Sequence, residues 1–305
     1  MTFFDLLKKF PTEKAIIDHY IIVRYGDNVC CNHCNSAKVY RKHTEHKNFR
    51  CADCNNSFSV FKDTIFEDSS TDLIKWMFAI HLFLNGKKGI SGCQLQREIG
   101  VTYKTAWRML QQIRIAMGNE AMKELFKGCV EMDETYVGGK PRRTNFSSDK
   151  AKNLRGRGTK KTPVVGIVSR ENKRLYAQVA LPNKDGQKLS GKQLLKIIMD
   201  NVSEKSTIIT DEFRGYNILG RADFIHYRID HQKSYADGDI HTNNIESFWS
   251  ILKRGIYGIY HHVSVKYLQR YINEFCFRQN NRDNLNIFDL VLKQSIKTKE
   301  NVVLA

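Results

Sequence analysis

Residues 129–139 read CVEMDETYVGG, and the period assigned to this stretch decides the fold of the half of the chain around it. With a period of two, Val130 and Met132 lie on one face of a β-strand, and Glu131, Asp133 and Thr135 lie on the other. Helical periods end near Gly128 and strands begin here. Downstream, TPVVGIVSR (162–170) and RLYAQVAL (174–181) read as two strands of a hairpin, and 191–203 as a helix. STIITDEFRGY (206–216) reads as a further strand ending in acids, and 243–254, 265–281 and 285–296 as helices. The basic, glycine-bearing SSDKAKNLRGRGTKK (147–161) reads as a mobile loop. Strands mixed with helices in this way imply a layered α/β or α+β domain.

Two of these strands end in acidic doublets, Asp133-Glu134 and Asp211-Glu212, each after an apolar run. Neighbouring strand residues face opposite ways, so one acid of each doublet points to a shared site, and Asp133 and Asp211 are the expected pair. A core-facing acid is expensive unless compensated, and a divalent cation compensates it. Each doublet alone also fits a solvated strand end. A third acid, Glu246, lies in HTNNIESFWSILKRG (241–255), a helix in which Lys253 follows two turns later on the same face. Two strand aspartates and a helical glutamate can hold two Mg²⁺ ions about 4 Å apart for in-line phosphoryl transfer. The same helix start also reads as a capping box between Asn243 and Glu246. Trp249 shares the face of Glu246 and Lys253 and reads as core or as a base-stacking platform. Gly138 and Gly139 suit either close approach of DNA or a plain turn. Tyr260, His261 and His262 are further candidates for substrate contact.

Upstream, Cys31-x-x-Cys34 and Cys51-x-x-Cys54 are separated by sixteen residues. Two such knuckles at this spacing predict a tetrahedral structural Zn²⁺ in a zinc ribbon, with Cys30, His33, His43 and His46 as bystanders. Lys38, Arg41, Lys42, Lys47 and Arg50 make the ribbon basic, which fits DNA contact or a solvated face. Cys93, Cys129 and Cys276 read as packing residues. From 71 to about 128 the period is helical. In SGCQLQREIGVTYKTAWRMLQQIRIAM (91–117), Ser91 and Gln94 suggest a capping box, Gly100 a break and Thr102 a second cap. This is the layout of a helix-turn-helix, or of an ordinary helical hairpin. With Val101, Ala106, Leu110 and Ile113 inward, Tyr103, Lys104 and Arg108 face out toward DNA. Residues 1–25 read as a helical segment with an apolar stripe ending near Pro11.

The formal net charge of +17 and a pI near 9.5 favour a polyanionic partner, nucleic acid before a membrane surface. The chain carries no apolar run of about 18 residues, signal peptide or lipidation motif, so no membrane partner is expected. A cytoplasmic, nucleoid-associated protein follows, whose eight cysteines stay reduced.

The ribbon CNHC and CADC, FSVFKDTIFE, QLQREIGVTYKTAWRML, EMDETYVGGK, TDEFRGY, HTNNIESFWSILKRGIYGIYHHVS and EFCFRQNNR together resemble the DDE transposases of bacterial insertion sequences, in the ISXO2-like group with an N-terminal zinc ribbon. The resemblance runs from about residue 25 to residue 285. It implies an RNase H-like catalytic domain with Asp133, Asp211 and Glu246 as first, second and third metal ligands. Thirty-four residues separate Asp211 from Glu246, and Lys253 lies seven beyond. Lys253, and Arg254 beside it, would hold DNA. Relatives in the group can place Asn at the third position, so Asn243, Asn244 and His241 stand as alternatives to Glu246.

The expected fold is multidomain α+β: an N-terminal helical segment (1–25), a zinc ribbon (26–68), a helix-turn-helix region (69–127), an RNase H-like α/β catalytic domain (128–285) and a C-terminal helix and tail (286–305). The expected function is cleavage of insertion-sequence ends and joining of their 3' hydroxyls to target DNA, with catalytic Mg²⁺ or Mn²⁺ and structural Zn²⁺. The partners are double-stranded DNA, as terminal inverted repeats and target, and a second copy of the chain on that DNA. A DNA-binding regulator that does not cut, and a metal-dependent nuclease that does not join, are the alternatives.

Overall fold

The computed structural model describes residues 1–42, 46–118, 124–138, 161–180, 189–221, 224–229 and 241–296. These form two compact units, residues 1–120 with 281–305, and residues 121–280. In chain order the elements are α1 (Phe3–Lys9), α2 (Glu13–Tyr25), β1 (Val39–Arg41), β2 (Asn48–Cys51), β3 (Ser57–Ser59), α3 (Leu73–Asn85), α4 (Gly92–Ile99) and α5 (Tyr103–Gly118). There follow β4 (Cys129–Val137), β5 (Thr162–Ser169), β6 (Leu175–Val179), α6 (Gly191–Asn201), β7 (Thr207–Thr210), β8 (Ile225–Arg228), α7 (Asn243–Gly255), α8 (Val265–Asn280) and α9 (Ile287–Lys293).

In the first unit, Thr2 and Asp5 close a capping box on α1, and the Thr12 hydroxyl accepts the Ala15 N–H at the start of α2. β1, β2 and β3 form a small antiparallel sheet. The segment after it turns inward. Phe61 and Phe66 pack on Tyr20 at centroid distances of 5.1 and 5.5 Å, and Phe66 meets Trp76 edge-on at 5.2 Å. That aromatic cluster welds the ribbon to α2 and α3. α9, which the sequence pattern groups with the C-terminal tail, packs on α2, α3 and α5, burying Phe288, Val291 and Leu292. Burial of these apolar side chains makes residues 281–296 part of the first unit rather than a separate tail.

The second unit is built on a five-stranded sheet of order β6-β5-β4-β7-β8. β4, β5 and β6 run antiparallel as a meander, and β7 and β8 lie parallel to β4. The alternation read in 129–137 is realised: Val130 and Met132 pack with Val165, Ile167 and α6 on one face. Val137, Val164 and Val168 pack with α7 and α8 on the other. β5 is buried on both faces, as its unbroken apolar run requires. The acid-ended segment at 206–216 is a shorter strand than the sequence suggests, since β7 stops at Thr210 and residues Arg214–Arg221 form a 3-10 helix. β8 is an edge strand with Ile225, Tyr227 and Arg228 exposed, and its mixed composition hides it from a pattern reading. Phe126 bridges to Val202, so the residues just before β4 belong to this unit. The basic stretch 147–161 lies outside the described residues but for its last, Lys161.

Candidate active site

The parallel register sets Glu131 opposite Ile209. Two residues further along β4, Asp133 lies on the face that α7 covers, and Asp211 follows directly after the end of β7. Among the described residues, Asp133, Glu134 and Asp211 form one of two groups able to hold a metal ion, their carboxylate oxygens lying within 4.8 Å of one another. Glu134 belongs to the opposite face of β4, so the expectation of one acid from each doublet is corrected here. Asp133 Oδ1 accepts the Glu134 N–H at 2.8 Å, which turns its carboxylate along the strand toward the next residue. Glu212 is exposed and outside the group. Asp211 Oδ1 accepts the Phe213 N–H at 2.9 Å, a local turn that ends β7 at the site.

Burial, then the charges of Glu134 and Asp211, push the Asp133 carboxyl up to about 8. Burial, then Glu134, Asp133 and Asp211, raise the fully buried Tyr216 phenol well above its ordinary value. Tyr216 therefore presents a neutral floor beneath the acids. Three clustered carboxylates, all hard oxygen donors, suit Mg²⁺ or Mn²⁺.

α7 lies over this cluster. Trp249 is buried, and its indole N–H donates to Asp133 Oδ2 at 3.0 Å. It is a core residue with one polar contact, not an exposed stacking platform. Gly166, opposite Asp133 in the β4–β5 register, makes room for it. A Cβ at Gly166 would stand 2.7 Å from Ile245 Cδ1 and from two ring carbons of Trp249.

The capping box that is the alternative reading of Asn243 and Glu246 is absent. The N-cap is Thr242, and its side chain does not cap the helix. Its hydroxyl donates instead to Glu246 Oε1 at 2.9 Å. The helix N–H groups of Asn244 and Ile245 go to Glu131 Oε2, at 2.9 and 3.2 Å. Asn244 Nδ2 donates to Glu131 Oε1 at 2.7 Å, so this alternative to Glu246 is engaged with the strand. His241 Nδ1 also lies 3.3 Å from Glu131, while Asn243 is exposed. Glu246 is an exposed residue of the first turn of α7 and stands outside the group formed by Asp133, Glu134 and Asp211. Lys253 and Arg254 are exposed in the last turn, Arg254 Nε donating to the Ser250 carbonyl at 3.1 Å.

Beyond α7 the chain makes a π-helical turn, Ile256–Tyr260. Tyr257 donates to the carbonyl of Gly138 at 3.3 Å. Gly138 has φ +153, while Gly139 lies outside the described residues. Tyr260 donates to Glu274 at 2.9 Å and packs on Tyr271, a structural engagement. His261, at φ +58, and His262 are exposed.

The second metal-binding group is Cys31, Cys34, Cys51 and Cys54, with sulfurs within 4.8 Å of one another. Both knuckles end on an asparagine in the left-handed region, Asn35 at φ 57 and Asn55 at φ 56. That turn aims backbone N–H groups at the sulfurs. The Cys54 backbone N–H, above all, holds the Cys51 thiol down to about 7. Four convergent sulfurs with thiolate-favouring N–H donors are the donor set of a structural Zn²⁺. His33 and His46 are outside the group, and His43 lies outside the described residues.

α4 and α5 meet at a three-residue turn. The Ser91 hydroxyl accepts the Gln94 N–H, Gly100 sits at φ 60, ψ 55, and the Thr102 hydroxyl accepts the Thr105 N–H. Ala106, Leu110 and Ile113 are buried, and Tyr103, Lys104 and Arg108 are exposed on the other side of α5. Among the described residues, no helix is long and apolar enough to cross a membrane.

Sequence comparison places residues 125–280 in the ISXO2-like transposase domain family. The chain is 29% identical over 302 residues, 96% of its length and 97% of the relative's, to an uncharacterised protein in the transposable element ISH50 of Halobacterium salinarum. It is 32% identical over 104 residues, 34% of its length and 83% of the relative's, to an uncharacterised transposase-like protein of Haemophilus influenzae. Among solved structures, a simian T-cell lymphotropic virus intasome in complex with a PP2A regulatory subunit is similar at a TM-score of 0.31, with 14% identity over 64% of this chain and 66% of that one. A pre-cleavage Mos1 transpososome is similar at a TM-score of 0.29, with 9% identity over 72% and 79%. Both structural likenesses are loose.

Proposed function

This chain belongs to the ISXO2-like transposase family of insertion sequences, and from that premise we propose that it cuts the ends of its element and joins their 3' hydroxyls to target DNA. The observation that carries the reading is the convergence of Asp133, on β4, with Asp211, directly after the end of the parallel strand β7, with α7 pinned to Asp133 through Trp249. The strand order supports an RNase H-like assignment for the second unit: a three-strand meander continued by two parallel strands, with Asp133 on the central strand β4 and Asp211 directly after the end of its neighbour β7.

Asp133 and Asp211 would hold a divalent cation, with Glu246 from α7 as the third acid and Glu134 beside them. The cation, when bound, supplies charge neutralisation at the phosphate and lowers the pKa of attacking water. The protein's own contribution is placement and charge. Lys253 and Arg254, exposed in the last turn of α7, bind backbone phosphates. Buried Trp249 and Tyr216 exclude water from beneath the acids. In the first step water attacks the phosphodiester at the element end, one P–O bond forming as another breaks, and a 3' hydroxyl leaves. In the second, that hydroxyl attacks a target phosphodiester and displaces its 3' oxygen. Such chemistry needs positioning rather than a side-chain nucleophile.

Tyr103, Lys104 and Arg108 on α5 read the terminal inverted repeats, and the cysteine knuckles hold Zn²⁺ that keeps the basic ribbon folded. The net charge of +17 supports duplex DNA as the partner. Holding two ends together calls for at least two copies of the chain, working on nucleoid DNA.

The test uses purified protein, a labelled duplex carrying the element's terminal sequence, Mg²⁺ or Mn²⁺ and a plasmid. Cleavage at the end followed by joining to plasmid, lost in Asp133→Asn and Glu246→Gln, is the expected result. Binding without cutting in either metal sinks the proposal in favour of a regulator. Cutting without joining sinks it in favour of a nuclease.

A further inference from the structure

We infer that Glu131 is a positioning residue of the active site, anchoring the first turn of α7 to the strand that carries Asp133 and so setting where Glu246 stands. The inference rests on the reading of Glu246 as the third acid.

Glu131 has a side-chain exposure of 0%. A buried carboxylate is costly unless it is paired and fully hydrogen-bonded, and an apolar residue fills the same space without that cost. The groups that meet the Glu131 carboxylate come from α7, its approach, and the end of β5. Oε2 takes the N–H groups of Asn244 and Ile245, two of the donors that a helix start leaves without intrahelical partners. Oε1 takes Asn244 Nδ2 at 2.7 Å and Arg170 Nε at 3.0 Å. Arg170 also donates to the carbonyl of His241 at 2.6 Å, clamping the residue that leads into the helix.

The cap of α7 is thus supplied by the sheet, which has two consequences. A carboxylate spanning two successive helix N–H groups fixes both the height and the rotation of the helix, and its charge sits at the positive end of the helix dipole. The residue that would otherwise cap the helix, Thr242, is released to hold Glu246 Oε1. Glu246 then lies between two ties to the same strand: Asn244 and Ile245 to Glu131, and Trp249 to Asp133. Alternate residues of β4 therefore serve as helix anchor and metal ligand.

The experiment compares wild type, Glu131→Gln, Glu131→Asp and Glu246→Gln. It reads Mn²⁺ affinity by calorimetry, hydrogen exchange at the amides of 244–246, melting temperature and DNA-end binding. Glu131→Gln keeps the size but loses the charge. Its Mn²⁺ affinity should fall by about tenfold or more, the usual effect of removing a group that orients a ligand. Exchange at 244–246 should rise, DNA-end binding should hold, and Glu131→Asp should recover part of the affinity. Wild-type Mn²⁺ affinity in Glu131→Gln overturns the inference, as does a loss that Glu131→Asp leaves wholly unrepaired. An affinity that falls in Glu131→Gln but not in Glu246→Gln overturns it too, because the anchor then acts through something other than Glu246. If Glu131→Gln does not fold, Arg170→Lys carries the test, with a smaller loss expected and wild-type affinity as the refuting result. Wild-type protein that binds Mn²⁺ yet cuts no DNA refutes the transposition mechanism while leaving the comparison decisive for Glu131.

Discussion

Asp133 is the residue at which stability and function oppose each other. In the unfolded chain it loses its proton near 3.8, and in the folded protein near 8, because burial and the charges of Glu134 and Asp211 oppose ionisation. The stability it contributes is full below its unfolded value and is lost as pH rises through about 8. Metal-free protein should therefore melt at lower temperature at pH 8.5 than at pH 6, a loss on the order of a few kcal/mol for a shift of this kind. Asp133→Asn should remove most of that slope in melts run with chelator. Mg²⁺ or Mn²⁺ should stabilise wild type more at pH 8 than at pH 6, and Asp133→Asn little at either. Gly166 works at the same scale. Its missing Cβ is the space into which Ile245 and Trp249 pack, so Gly166→Ala should cost about 1–3 kcal/mol by overpacking and displace Trp249 from Asp133. Melts and Mn²⁺ titration of that variant, with wild-type values in both, would refute the slot. Asp133 and Asp211 are legible in the sequence as strand-end acids after apolar runs. Glu131 is legible only as a second acid on the strand face that carries Asp133, because its partners on α7 lie far along the chain, the Asn244 bond at a separation of 113.

At the scale of elements, the zinc ribbon is the part most completely written in local sequence. Each knuckle is a short turn whose sulfurs, asparagine and N–H donors are consecutive residues, so spacing alone predicts the cluster. Cys54→Ser should reduce bound zinc, measured by atomic emission, from about one per chain to a small fraction, since structural sites need four ligands. The same variant should leave Mn²⁺ binding by the second unit unchanged. α7 shows the opposite case. Its helical period is plain from Ile245, Phe248, Trp249 and Leu252, yet its N-terminus deceives, because Asn243 and Glu246 have the spacing of a capping box. A carboxylate from another strand outcompetes that local cap by offering charge and two acceptor oxygens to the same N–H groups. β8 escapes a pattern reading because an edge strand with three exposed residues need not alternate.

For the whole molecule, net charge predicts the partner and long-range packing decides the units. An excess of 17 positive charges predicts DNA binding that weakens steeply with salt. Replacing Lys104 and Arg108 together by Ala should lower the slope of log K against log salt by about 2, one for each phosphate that the variant no longer neutralises. An unchanged slope would remove these two residues from the interface, whatever happened to affinity. The two compact units cut across the order of the chain, since residues 281–296 join the first although they follow the second in sequence. That return is an outcome of packing Phe288, Val291 and Leu292 on α2, α3 and α5, segments far apart in sequence.

The sequence by itself determined the cysteine knuckles, the alternating strand at 129–137, the two capped helices at 92–118 and the two aspartates after apolar runs, because each depends on residues within a few positions of one another. Family resemblance added the role proposed for the acids. Tertiary structure alone decided which strands neighbour which, that Glu134 joins Asp133 and Asp211, and that Glu131 rather than Asn243 closes the start of α7. Those choices are made by hydrogen bonds and packing between distant segments, where competition among partners is settled only once the sheet has brought them together.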